Sequence, residues 1–315
     1  MASIAGNGDC ERKTKLFWGQ MSTFIALQHT TTYRYDRPVI LSPQVIRLRP
    51  TPHCHTEVHK YQLTISPTEH LVYWQQDAFC NHIARATFAE KVSELKLRVE
   101  MVANIASFNP FDFLVDGHVN QWPFDYGDLL KRDLQTYLLA DEPGAKLDSF
   151  IQTLPREASG IINFLLHINR DIFERIEYIQ RLDPGVQTCE ESLRKASGSC
   201  RDSAWLLVQT FRNLGLAARF VSGYLIQLAQ KTVGSHPTTQ IDSADLHAWA
   251  ELYIPGAGWL GLDPTSGLLA SEGYIPLCCT RAPAAAAPVT GTTEPGNSLL
   301  HFESVITRLP DRPNL

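Results

Sequence analysis

The chain has 315 residues, 44% of them hydrophobic and 19% charged, which is enough for about two soluble globular domains of roughly 150 residues each. No apolar run approaches the roughly 18 residues of a membrane span, so no membrane partner is expected. The 28 basic and 33 acidic residues leave a formal charge of -5 with no basic block, which argues against a nucleic-acid partner.

Residues 1–22 carry Asp9, Glu11, Arg12, Lys13 and Lys15 ahead of only Leu16-Phe17-Trp18. No signal-peptide core follows the basic residues, and the segment reads as a disordered extension preceding a natural start at Met21. The seven cysteines are scattered, odd in number and include the adjacent pair Cys278-Cys279. That is unlike a secreted disulfide framework, so a reducing, cytoplasmic setting is expected.

From residue 23 to 117, short runs alternate apolar and polar residues, as in Val58 to Ile65 and Val92 to Val102. Period two places one face of each strand on a core and the other in water. Breaks at Pro38, Pro43, Pro50, Pro52 and Pro67 give the spacing of an antiparallel β-sandwich. His53, His55 and His59 have metal-ligand side chains and would share one face of a strand. Pro50 and Pro52 interrupt that strand and no second ligand cluster follows, so no metal is assigned and the role of the three histidines stays open.

Helical periodicity begins after Trp122-Pro123-Phe124-Asp125-Tyr126, and residues 118–309 read as the second domain, with 310–315 as a tail. Helices are expected near 127–140 and 157–170. A Thr188-x-x-Glu191 capping box predicts a further helix that ends by Lys195. Between Cys200 and Gly215, Ala204, Leu207, Val208, Phe211 and Leu214 form one apolar stripe, with Gly215 at the C-cap. Cys200 begins this helix on the same stripe. Its sulfur therefore faces whatever the helix packs on, while an uncapped, positive helix start favours thiolate.

Strands are expected at 218–228, 246–254 and 259–263, and a last strand at 299–307 would tie the tail to a sheet. His247 and Asp263 lie on the two arms of one hairpin. If Ile254 pairs with Trp259, they fall on opposite faces. If Tyr253 pairs with Trp259 around a five-residue connection, Asp263 faces Trp249 and lies diagonal to His247 on one face. An odd connection, or a bulge of equal effect, is therefore required for a Cys-His-Asp set.

The segment GSCRDSAWLLVQTFRNLGLAARFVSGY at 198–224 and the later DLHAWAELYIPGAGWLGLDPT at 245–265 resemble the core of the transglutaminase-like superfamily. The strands from Phe24 (FIALQHTTTYRYDRPVILSPQVIRLRP) resemble the N-terminal domain of its bacterial members. The resemblance implies an α+β protein, an N-terminal antiparallel β-sandwich followed by a papain-like core. It implies a bacterial cysteine protease or amidase with Cys200 as nucleophile, His247 as base and acid, and Asp263 orienting the imidazole.

The substrate implied is a peptide or protein offering an amide carbonyl, cleaved through a thioester acyl-enzyme. No cofactor is implied, and oligomeric state is not legible. Ser199 departs from the apolar residue common before the cysteine, and no Trp lies between Trp122 and Trp205 to serve as the oxyanion donor of animal transglutaminases. Tyr178 is the substitute candidate, with Ser199, Tyr224 and Trp249 as further substrate-binding candidates. Acyl transfer to an amine, and a binding protein with a vestigial triad, are the alternatives.

Overall fold

The computed structural model describes residues 22–155, 160–229 and 241–310. The expected N-terminal extension, its Met21 start and most of the 229–244 loop fall outside those residues. Among the described residues, no helix is long and apolar enough to cross a membrane.

The chain opens with six strands: β1 (Ser22–Val39), β2 (Gln44–Ile46), β3 (Glu57–Ser66), β4 (His70–Gln76), β5 (His82–Phe88) and β6 (Val92–Ala106). Strand β6 shows why this stretch is a sheet. Its Leu95, Leu97, Val99, Met101, Ala103 and Ile105 are all buried, while the residues between them are not. Each fully buried aliphatic side chain of this kind contributes about 1.5–3 kcal/mol relative to exposure.

Two short helices follow, α1 (Asp128–Asp133) and α2 (Gln135–Leu138), and then α3 (Ala145–Thr153) and α4 (Ile161–Arg175). Next come β7 (Glu177–Tyr178), α5 (Cys189–Lys195), β8 (Ser197–Gly198) and α6 (Cys200–Asn213). Helix α5 starts as its capping signal requires, with the Thr188 hydroxyl accepting from the Glu191 N–H at 3.1 Å. It ends on Ala196 at φ 51°.

Helix α6 differs from the single stripe read in the sequence. Every residue from Asp202 to Arg212 is buried, because β-strands cover one side and α3, α4 and α5 the other. Several of its polar groups bond to the surrounding protein, although the Gln209 amide nitrogen has no partner. Gln209 accepts from the Asp141 N–H at 2.8 Å, and Arg212 donates to the Ala218 carbonyl at 2.9 Å and to Asp141 at 2.9 Å.

The strands that cover α6 are β9 (Ala218–Gln227), β10 (Ser243–Ile254), β11 (Gly258–Asp263), β12 (Leu268–Leu269) and β13 (Tyr274–Thr280). They form one antiparallel sheet in the order β12-β11-β10-β9-β13. Its far face packs on the sandwich through Tyr224, Ile226, Ile275 and Leu277, in one continuous core with Ile25, Leu27 and Leu97.

The chain then returns to where it began. Strand β14 (Val289–Thr290) pairs with β2, and β15 (Ser298–Arg308) pairs with β1 along eleven residues from Tyr35 to Ile25. The sandwich is therefore two four-stranded sheets, β15-β1-β6-β3 and β14-β2-β5-β4. Residues 289–308, grouped with the second domain by sequence order, complete the first one. Pairing between strands more than 240 residues apart leaves no local signature.

Candidate active site

Strands β10 and β11 pair Tyr253 with Trp259 and Ile254 with Gly258, so three residues turn the hairpin. That is the parity required to bring His247 and Asp263 onto one face. The His247 Nε2 lies 2.9 Å from Asp263 Oδ2. The other ring nitrogen is not engaged by Asp263, and Cys200 is near enough to favour the imidazolium.

Asp263 is fully buried, and every carboxylate lone pair in view is used. Oδ1 accepts from the Thr265 N–H and from the Thr265 hydroxyl, each at 2.8 Å, and Oδ2 also accepts from the Tyr274 hydroxyl at 2.7 Å. Burial works against its charge, but these donors and His247 outweigh it and hold the carboxyl below its usual range. For His247 burial likewise opposes charge, yet Asp263 and Cys200 raise it to about 10. The imidazole is thus held as a cation well above neutrality. Desolvation keeps Tyr274 in its phenol form, the state that donates to the carboxylate.

Beneath the histidine lies Trp249. The two rings are stacked at 6.4 Å and 25°, and Tyr274 meets the indole edge-on at 5.3 Å. Trp249 is 1% exposed and sits with Val221 and Cys279, so it supports His247 rather than lining a substrate groove. Gly223, the neighbour of His247 across β9, makes room for it. A Cβ there would run into the Trp249 ring and the Ile275 carbonyl.

Cys200 is partly exposed at the first residue of α6, where the first turn of N–H groups has no intrahelical partner. That start is capped, in contrast to the uncapped start expected. Ser199-x-x-Asp202 is a capping box, and Asp202 Oδ2 accepts from both the N–H and the hydroxyl of Ser199 at 2.8 Å. Asp202 also accepts from the Gln187 N–H at 2.7 Å and from Arg181 Nε at 3.0 Å. Burial pushes its carboxyl up, but Arg181, Gln187 and Ser199 together hold it at about 2. Ser199 is therefore a buried cap and not a substrate contact. The Ser-x-x-Asp spacing was the sequence signal for this arrangement.

Tyr178 reaches the site through β7, which pairs in parallel with β8 and sets Tyr178 opposite Gly198. The Ile179 N–H donates to the Gly198 carbonyl at 2.9 Å. The phenol is 57% exposed, and its pKa is raised by partial burial and then by Cys200, Asp245 and Asp263. Tyr224 is placed elsewhere. It is fully buried on the sandwich side of β9, edge-on to His29 at 5.5 Å, and lines no cleft at Cys200.

The three histidines of the first domain do not converge. His55 stacks on Phe108 at 5.7 Å, and His59 Nε2 lies 3.3 Å from Glu57. His53 Nε2 instead meets Cys279 Sγ at 3.5 Å beside Glu251, a ligand-type trio. The Arg219 guanidinium stands among them, 3.1 Å from His53 and 2.7 Å from Glu251. A fixed cation in that position opposes a second one. Cys278 and Cys279 are both buried within β13.

The model of the bacterial transglutaminase-like N-terminal region matches residues 25–104, and that of the transglutaminase-like superfamily matches residues 149–264. An uncharacterised protein of Mycobacterium tuberculosis strain H37Rv is 26% identical over 255 residues, 78% of this chain and 80% of that one. One from Mycobacterium leprae strain TN is 33% identical over 101 residues, 32% of this chain and 34% of its own. The crystal structure of a candidate cysteine protease from Cytophaga hutchinsonii shares the fold, with a TM-score of 0.67 over 93% of each chain at 16% identity. With its two regions matched in order along the chain, this protein belongs to the transglutaminase-like superfamily, a bacterial-type N-terminal region preceding the core.

Proposed function

We propose that the protein is a cysteine-dependent hydrolase of amide or peptide bonds, with Cys200 as nucleophile, His247 as proton carrier and Asp263 as its orienting acceptor. The observation that carries this reading is the His247–Asp263 pair set beside Cys200, with the carboxylate itself fixed by Thr265 and Tyr274. A buried carboxylate with that many donors has one orientation, and so does the imidazole it holds.

In the first step the Cys200 sulfur adds to the substrate carbonyl carbon, and the thiol proton resides on His247. Collapse of the tetrahedral adduct breaks the C–N bond, with His247 passing its proton to the departing amine. The thioester left on Cys200 is then attacked by water. His247 accepts the proton from that water, the C–S bond breaks, and the acid departs. The Cys200 N–H and the Tyr178 phenol are the proposed oxyanion donors. A phenol keeps its proton at neutral pH and so is available there as a donor. A reducing, cytoplasmic setting and a peptide or protein substrate belong to the same proposal.

The test is hydrolysis of a broad peptide and amide library by wild type and Cys200→Ala. Loss of at least ~1000-fold in turnover is expected, the scale seen when a nucleophile is removed. Equal turnover, or none from either protein on any member, together with Cys200 alkylating no faster than Cys80, would overturn the reading. Product analysis with added primary amine separates acid release from transfer.

A further inference from the structure

A second concave site lies in the sandwich, away from Cys200. Strands β3 and β4 are the outermost strands of their two sheets, and between them and residues 49–56 is a cleft of about 580 Å³. That volume falls within the roughly 300–1,000 Å³ range of small-molecule sites. None of the twelve residues lining it is acidic, whereas Arg49, Lys60, His59 and His82 all contribute.

Arg49 lies on aromatic surface. The Arg49 guanidinium lies 5.3 Å from the Trp74 ring centre and 5.7 Å from that of Tyr61, and these two rings meet edge-on at 6.2 Å. Stacking holds a guanidinium flat and leaves its edge for an anion. Among the described residues Arg49 has no carboxylate partner. Along the β3 side of the cleft there is a bulge between Val58 and Lys60, where β3 shifts register against β6. Bulges of this kind re-aim the side chains around them.

The cleft also contains polar atoms that the protein does not use. Thr51 is 4% exposed and its N–H donates to the Pro276 carbonyl at 2.9 Å, yet its hydroxyl has no hydrogen-bond partner. The buried Tyr61 hydroxyl has none either. A buried hydroxyl without a partner is costly, and a ligand oxygen meeting either one would remove its cost.

We propose that this cleft binds a small organic acid: a carboxylate that meets Arg49, carried on an apolar or aromatic body that lies against Trp74 and Leu63, with an oxygen reaching Thr51 and Tyr61. The site is independent of the chemistry at Cys200, and its occupancy is read without any turnover.

Isothermal titration at pH 7 with 4-phenylbutyrate tests it, with 4-phenylbutanol and inorganic phosphate as the uncharged and body-less comparisons. Saturable one-to-one binding near ~1 mM or tighter is expected for a ligand of this size. Phenylbutanol and phosphate should each bind at least ~10-fold more weakly, the scale of a charge-assisted pair. Arg49→Met, at an exposed position, should lose a similar factor, and the near-isosteric Thr51→Val and Tyr61→Phe a few-fold each. Saturating phenylbutyrate should slow alkylation of Cys54, which lines the cleft, and leave the exposed Cys80 unchanged. No saturable heat in the wild type, equal binding of either comparison, an unaffected Arg49→Met, or Cys54 alkylated at the same rate would each overturn the proposal.

Discussion

His29 offers a sharp test of how this fold is held together, because it is a histidine buried as a neutral group. It is fully inaccessible, with Nδ1 2.9 Å from the Ser304 hydroxyl and Nε2 2.8 Å from the Thr31 hydroxyl. No carboxylate is among these partners, and burial lowers its pKa from 6.5 to about 4. The unfolded chain therefore takes up a proton near pH 6.5 that the folded chain refuses until about pH 4. Stability from this group is complete above pH 6.5 and is lost as pH falls through that window.

The full shift is worth about 3 kcal/mol at 1.36 kcal/mol per unit, and about 2 kcal/mol of it is already lost at pH 5. Urea denaturation of wild type and His29→Gln at pH 7 and pH 5 isolates the term. His53 and His82 also have lowered values through burial, but they are common to both proteins and cancel. At pH 7 the variant should be less stable by about 1–2 kcal/mol for its impaired hydrogen bonds. By pH 5 the gap should close or reverse, shifting by about 2 kcal/mol in the variant's favour. A gap that stays constant between the two pH values would refute the reasoning.

Tyr274→Phe removes one donor to Asp263 and leaves Trp249 packed, so under the proposed mechanism turnover should fall by roughly 3–10-fold with little change in thermal stability. A change above ~100-fold in kcat would mean that the phenol does more than support the carboxylate. Asp202→Ala should destabilise by about 3–5 kcal/mol, because it strands Arg181 and the donors of Ser199 and Gln187 in a buried position. Thermal denaturation measures it, and a loss under ~1 kcal/mol would show that Arg181 simply turns to solvent.

The parts of the site that were legible in the sequence are those with local periodicity. The helix from Cys200 and its Gly215 terminus follow from spacing along one segment, whereas spacing alone leaves two registers open for the 247–263 hairpin, of which the structure has Tyr253 opposite Trp259. Tyr224 was misplaced for a physical reason. Strand β9 is buried on both faces from Ala218 to Tyr224, so no polar alternation marks which side chain faces the sulfur. Tyr274 was missed because β13 comes after the hairpin and reaches Asp263 only through tertiary packing. Asp202 is legible as the fourth residue of Ser-x-x-Asp, a cap signal that encloses Cys200 at the same helix start.

The late strand β15 has a consequence for how the protein is made. Strand β1 lies between β6 and β15, so synthesis delivers one of its neighbours early and the other about 200 residues afterwards. While the core is being translated, the side of β1 that will receive Ser298–Arg308 is an open edge, available to any other nascent chain. Truncation before residue 298 would make that exposure permanent. The domain encoded first is thus the one completed last, and the residues that close it are far from the cysteine whose scaffold they secure.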